Sequence, residues 1–340
     1  MARKTIHNKI ADAESLSQVN PVNLRFIDDF ADYLRSGKKS EQTIAVYRSD
    51  LNIAFVWCLK NIGNKSFIDW TKRDVVAFQN YLLNTNKNSA ARVRRIKATL
   101  SSLSNYIENV CDDEYPMFKN IIHKIESPPQ QPVREKTVWE EEELNDLLDK
   151  LTKLEKYDMA CFVALAMFSG RRKAELCRFR VSDFSEDKLI CGGALYKSSP
   201  ILSKGRGGGK SINCYTLAKK FQPYLDRWMA YRKENKIESE WLFPRSDDPT
   251  QQIRKSNADS WALTLQRITG RNFYFHSLRH YFTTELSRAG IPDSVIQSIM
   301  AWESADMVGV YKDIDADESI GMYFADGEIK APAAKKMSDL

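Results

Sequence analysis

The chain has 340 residues, more than one typical domain, and 43% of them are apolar, enough to build real cores. With 51 Lys and Arg against 45 Asp and Glu the formal charge is +6, a modestly basic balance that permits a polyanionic partner without requiring one. No apolar run reaches the ~20 residues of a membrane span, so no membrane partner is expected. The charged start Met1-Ala2-Arg3-Lys4 lacks the apolar stretch of a secretion signal. The cysteines at 58, 111, 161, 177, 191 and 214 form no C-x-x-C pair and read as reduced core residues of a cytoplasmic protein.

In chain order, residues 1–20 are polar and read as a flexible tail. Residues 21–127 are helical. Phe26, Phe30, Tyr33 and Leu34 share one face. Ser40-Glu41-Gln42-Thr43 opens a second helix with Val46, Tyr47, Leu51, Phe55 and Val56 as its stripe. A third follows Thr71 and buries Val75, Val76, Phe78, Tyr81 and Leu82. A fourth starts near Ser89 and carries Ile96, Leu100, Leu103 and Ile107. Four short helices predict a small bundle. Residues 128–137, rich in proline and charge without periodicity, are a linker. Residues 138–340 form a second, larger domain. It has an apolar helix over Met159 to Phe168 and short strands between 188 and 217. Helices follow over 217–235, Asn257 to Ile268 and Ser277 to Ala289, and Pro292 opens another. The fold class is mainly α with a small antiparallel β-sheet.

Several residues carry chemistry. Arg172 follows the Ser169-Gly170 turn, and Glu175 lies one helical turn on. Alone, this is a solvated i,i+3 ion pair. Beside other cations, it is a guanidinium fork for a phosphate, oriented by a carboxylate. His276 and Arg279 share a helix face, and His280 extends the run. Zinc on His276 and His280 is disfavoured, because Arg279 would place a cation beside the metal and no third ligand is evident. His280 reads as a structural histidine. The segment Gly205-Arg206-Gly207-Gly208-Gly209-Lys210-Ser211 only nearly matches a phosphate loop, since Lys204 stands where glycine is needed and a strand pattern follows. A β-hairpin presenting Lys204 is the better reading, with a lysine able to protonate a leaving oxygen. Trp302 reads as packed aromatic or as indole donor to a phosphate. Tyr311, after the candidate N-cap Ser304, is unremarked by its own neighbourhood. Arg92, Arg94, Arg95 and Lys97 are four cations in six residues, either a solvated helix face or a contact to DNA backbone.

Taken in order, Arg172 with Glu175, Lys204, His276 with Arg279, Trp302 and Tyr311 make this chain resemble the tyrosine recombinases, or phage integrases, with a Cre-like layout. The family pattern is arginine with glutamate three residues on, a hairpin lysine, H-x-x-R, then histidine or tryptophan nine residues before tyrosine. Spacing to Glu175 selects Arg172 over Arg171. Lys210 remains an alternative to Lys204. The stretch Thr43 to Leu51 matches the second-helix pattern of the family's core-binding domain. The resemblance implies a helical core-binding domain and a mixed α/β catalytic domain closing on DNA as a clamp. Candidate DNA contacts are Thr43, Arg48, Arg92, Arg94, Arg95, Lys97, Arg254 and Lys255.

The resemblance further implies site-specific recombination. Tyr311 would form a 3′-phosphotyrosine, Arg172, Arg279, His276 and Trp302 would hold the phosphate, and Lys204 would protonate the 5′-oxygen. The reaction would pass through a Holliday junction without ATP, metal or other cofactor. It implies double-stranded DNA as partner, a dimer per site, a homotetramer on DNA and nucleoid association. The amphipathic stretch after Tyr311, with Ile320, Met322, Tyr323 and Phe324, would dock on a neighbouring protomer or on its own domain. Two rivals stand beside it: a type IB topoisomerase, which shares the chemistry, and a DNA-binding regulator on the same fold with an inactive site.

Overall fold

The computed structural model describes residues 10–129, 137–203 and 209–314, with the backbone of 324–325 and 328–329. The chain divides into an N-terminal unit to Glu135 and a C-terminal unit from Lys136, residues 205–208 aside.

The N-terminal unit is built from α1 (Ala13–Ser17), α2 (Pro21–Ser36), α3 (Glu41–Asn61), α4 (Lys72–Asn80) and α5 (Ala90–Val110). Side chains set where these helices begin. The Ser40 and Ser89 hydroxyls accept from the backbone N–H groups of Thr43 and Arg92, and Thr71 and Asp74 cap reciprocally. Each such cap contributes about 1 kcal/mol. Phe26, Phe30, Ile53, Phe55, Leu100 and Leu103 form the centre of the core. From Ile53 to Cys58 α3 is buried on every side, which blurs its periodicity.

The structure corrects three expectations here. Residues 10–20 are no tail: Ile10, Ala11 and Val19 are buried in this core around the capped turn of α1, with the Asp12 carboxylate accepting from Ser15 N–H at 2.7 Å. A few apolar residues decided the matter where average polarity pointed the other way; residues 1–9 lie outside those described. Tyr33 and Val76, expected inside, sit on the rims of their stripes and are exposed.

The C-terminal unit contains α6 (Glu141–Lys153), α7 (Tyr157–Ser169), α8 (Lys173–Leu176), β1 (Leu189–Ile190), β2 (Leu195–Lys197), β3 (Ile201–Ser203), β4 (Lys210–Ile212), β5 (Tyr215–Leu217), α9 (Ala218–Glu234), α10 (Lys255–Thr269), α11 (Phe275–Arg288), α12 (Asp293–Met300) and α13 (Asp306–Tyr311). Strands β1, β2 and β5 make a small antiparallel sheet. Strands β3 and β4 make a hairpin in the register Ile201↔Ile212, Leu202↔Ser211, Ser203↔Lys210. Helix α7 is the axle. It is apolar on all sides, buried from Met159 to Ser169, and packed by α6, α9 and α11. Its uniform apolarity is the mark of a central helix rather than a surface one. Pro292 is the N-cap of α12, one residue before the predicted position. The fold is mainly helical with small antiparallel sheets, as expected.

The linker 128–137 falls on residues 130–136 outside those described. From residue 315 on, the docking segment also lies outside them, apart from the backbone of an antiparallel pair, β6 (Phe324–Ala325) with β7 (Glu328–Ile329).

Candidate active site

The site gathers where α7 ends. Gly170 turns the chain in the left-handed region (φ 59°). A Cβ there would come 2.5 Å from the Phe282 ring and 3.0 Å from Met300 Cε, so glycine is needed for both conformation and room. The turn aims Arg171 and Arg172 differently. Arg171 is buried, whereas the Arg172 side chain is about one-third exposed (34%) at the N-cap of α8. Position 172 is thus the arginine free to meet a ligand.

Glu175 fixes Arg172. Its carboxylate accepts from Arg172 backbone N–H at 3.0 Å and Nη1 at 3.1 Å, and from the Ser203 hydroxyl at 2.5 Å. Burial raises the Glu175 pKa, but the Arg171 charge, the Ser203 hydroxyl and Arg172 outweigh it, and the net shift is downward. The carboxylate is therefore ionised at neutral pH. Ser203, which sequence reasoning missed, ties the β3–β4 hairpin to the arginine turn. Its only sequence signal was alternation, since Ile201 and Ser203 point inward and Leu202 outward. Lys204 lies outside the described residues. Lys210 is exposed on β4, directly opposite Ser203.

Helix α11 presents His276, Arg279 and His280. Arg279 is fully buried and donates from Nη1 to the Gly170 carbonyl at 2.8 Å. Its guanidinium carbon stands 5.0 Å from the Trp302 ring centre and 5.2 Å from that of Tyr311. Burial, then the nearby Arg171 and Arg172, loosen its hold on its proton. A guanidinium starts from so high a value that it stays charged at neutral pH.

Helix α13 carries Tyr311, nearly buried and stacked on Trp302 (4.9 Å, 27°). The Tyr311 hydroxyl lies 3.0 Å from His276 Nε2. His276 reaches solvent, yet packing around its ring, with His280, Arg279 and Arg172, lowers its pKa from 6.5 to about 4. At neutral pH it is an uncharged imidazole able to accept a phenol proton. His280 packs its ring 4.7 Å from Tyr311, and its Nδ1 lies 3.3 Å from Asp313 Oδ2, a contact whose angle misses a hydrogen bond. The N-cap of α13 is Ala305, one residue after the expected Ser304, whose hydroxyl accepts from Asp306 N–H at 3.2 Å.

One feature of this cluster is chemically pointed. Among the described residues, Arg279 Nε and Nη2 and Trp302 Nε1 are buried without a hydrogen-bond partner. Orphaned buried N–H groups are costly, and three in one place call for an acceptor with several oxygens.

The candidate DNA contacts of the N-terminal unit are placed differently. Arg92 Nη1 lies 2.6 Å from the buried Asp50 carboxylate, a close ion contact off hydrogen-bond angle. Arg94 donates to the Pro128 carbonyl at 2.9 Å, and Lys97 is turned inward onto the Ile125 carbonyl. Lys97 is corrected as a surface contact: a backbone acceptor lies within reach of its amine inside the fold. Arg48 pairs with Asp28 at 2.8 Å, Thr43 contacts the Ser40 hydroxyl at 2.9 Å, and Arg95 stays half exposed. In the C-terminal unit Arg254 pairs with Asp247 at 2.8 Å and Lys255 is exposed. No described helix is long and apolar enough to cross a membrane.

The family model described as "Phage integrase family" matches residues 137–318, and one described as "Phage integrase, N-terminal SAM-like domain" matches 26–117. The SPbeta prophage-derived recombinase-like protein YomM of Bacillus subtilis (strain 168) is 26% identical over 264 residues, covering 76% of this chain and 77% of that protein. The integrase of Salmonella phage P22 is 35% identical over a shorter stretch of 81 residues, 21% of each chain. Among solved structures, a lambda integrase (75–356) dimer bound to a COC′ core site superposes with a TM-score of 0.64 at 16% identity, covering 90% of this chain and 99% of that one, a likeness of fold. With the catalytic family model spanning more than half of its length, the chain belongs to the phage integrase family and is a tyrosine-type site-specific recombinase.

Proposed function

We propose that Tyr311 is the nucleophile and that Arg172, Arg279 and Trp302 hold the scissile phosphate. The observation that carries this reading is the set of orphaned donors on Arg279 and Trp302, packed against the very tyrosine whose hydroxyl touches His276. A phosphodiester resists attack because it is anionic and its leaving alkoxide is poor. Buried cations and N–H donors neutralise charge that builds on the nonbridging oxygens. His276, uncharged, takes the phenol proton as Tyr311 Oη bonds to phosphorus. The P–O5′ bond breaks, the 3′-phosphate stays on the tyrosine, and Lys204 supplies the proton to the 5′-oxygen. Attack by a 5′-hydroxyl reverses these steps. The covalent link conserves the bond energy, so rejoining requires no ATP. Double-stranded DNA is the substrate, with a dimer on each site and four protomers exchanging strands through a Holliday junction. The lambda integrase tetramer bound to a Holliday junction, a fold relative, supports that assembly. Arg95, Arg48, Thr43, Arg254 and Lys255 are the proposed DNA contacts in reach of solvent.

The test uses nicked duplexes with a randomised core, which trap covalent intermediates because the cut fragment diffuses away. Wild-type protein captures a subset as denaturation-resistant adducts, and Tyr311→Phe captures none. Adducts formed equally by the phenylalanine variant would assign the nucleophile elsewhere.

A further inference from the structure

Arg171 is buried to 1% exposure, and among the described residues no carboxylate lies within ion-pair distance of it. Burying an unpaired guanidinium costs several kcal/mol unless fixed dipoles replace water. The dipoles here come from two helix ends. Nε donates to the carbonyl of Ser169, the last residue of α7, at 3.1 Å, and Nη2 donates to the carbonyl of Ile299, in the last turn of α12, at 2.7 Å. Nη2 also lies 3.5 Å from Met300 Sδ, and Nη1 lies 3.9 Å from Cys214 Sγ. The final carbonyls of a helix lack partners within it and carry the negative end of its dipole, so one cation between two such ends satisfies both. The neighbouring α12 carbonyls of Gln297 and Ser298 are taken by the backbone N–H groups of Trp302 and Ala301, which leaves Ile299 for Arg171.

The chain leaving α7 carries Arg172 three residues after Ser169, directly after Arg171. The chain leaving α12 carries Trp302 three residues after Ile299 and leads to Tyr311. We infer that Arg171 is a positioning residue that staples the arginine turn to the tyrosine-bearing segment, setting the distance between the phosphate-holding fork and the nucleophile. A leucine or methionine of similar bulk fills the space but cannot bridge the two carbonyls. The Arg171 charge also acts on the site: it is the foremost charge holding Glu175 ionised and the foremost one pressing on Arg279.

The inference rests on the proposed function for its activity arm and is independent of it in a DNA-free arm. Arg171→Met and Arg171→Lys are compared with wild type, using as probe a nicked duplex captured from the random-core pool by wild-type protein. At saturating DNA the Met variant forms adduct about 50-fold more slowly, while its DNA affinity stays within about 3-fold, because misplacement by about an ångström acts on the chemical step. In the free protein, amides of residues 301–311 exchange about tenfold faster in the Met variant, and those of Phe162 to Met167 are unchanged. Lys reaches one carbonyl at most and falls between, with wild-type affinity.

A folded Met variant that cleaves within about 3-fold of wild type, or whose faster exchange spreads equally over α7 and α10, overturns the staple. If Met does not fold, Lys decides: wild-type rate together with wild-type exchange at 301–311 overturns it. If wild-type protein forms no adduct at all, the proposed function fails, and the exchange pattern still judges the staple.

Discussion

Two groups of cations, one in each unit, are held in opposite ways. In the N-terminal unit Arg92 meets a buried carboxylate, while Arg94 and Lys97 meet backbone carbonyls. In the C-terminal unit Arg279 is fully buried, yet two of its nitrogens have no partner among the described residues, and it shares its surroundings with Arg171 and Arg172. The first arrangement holds helices together. The second leaves two buried donors of a fixed cation without an acceptor among the described residues, and the proposed phosphate-holding role rests on that arrangement. The contrast is between cations whose donors meet acceptors inside the fold and Arg279, two of whose donors meet none among the described residues.

Substitutions put this contrast to the test. Arg279→Ala should slow adduct formation by on the order of 10²–10³, with a smaller loss of DNA affinity, as expected for a donor that acts in the transition state. Asp50→Asn should do the reverse. It leaves Arg92 without its counter-charge beside a side chain only 1% exposed, and lowers the stability of the N-terminal unit by about 2 kcal/mol in denaturant titrations without touching the chemical step. A loss of cleavage at unchanged stability would place Asp50 in the wrong class. Ala301→Gly is a milder probe. Ala301 ends α12 in the left-handed region (φ 53°), where a Cβ is strained, and glycine there should raise stability by about 0.5–1 kcal/mol.

A further effect concerns pH. The His276 pKa falls from 6.5 in an open chain to about 4 in the fold. Between those values the unfolded chain binds a proton that the folded one refuses. The stabilising contribution is therefore present above 6.5 and is lost as pH falls toward 4. The melting temperature of wild type should drop more over that window than that of His276→Gln, and the cleavage rate should show no inflection near 6.5.

Much of the site was legible in sequence because helix and turn spacing put Arg172 with Glu175, and His276 with Arg279, on common faces regardless of what surrounds them. The order of those elements, with Trp302 and Tyr311, carried the family. What stayed hidden depends on through-space partners. Nothing local says that Ser203 bonds Glu175, that Arg171 bridges Ser169 to Ile299, or that Asp50 claims Arg92. Lys97 looked like a surface cation because charge is visible in a sequence and the acceptor at Ile125 is not. The segment 10–20 failed for a related reason: three apolar residues suffice to dock it, and averaging hid them.

The most direct test of the unsatisfied-cation claim replaces the charged scissile phosphate by a neutral methylphosphonate in the captured duplex. If Arg279 serves to neutralise phosphate charge, Arg279→Ala should cleave the neutral substrate within about tenfold of wild type, while losing on the order of 10²–10³ on the natural one. An equal loss on both substrates would contradict the claim and leave Arg279 as a structural cation like those of the N-terminal unit.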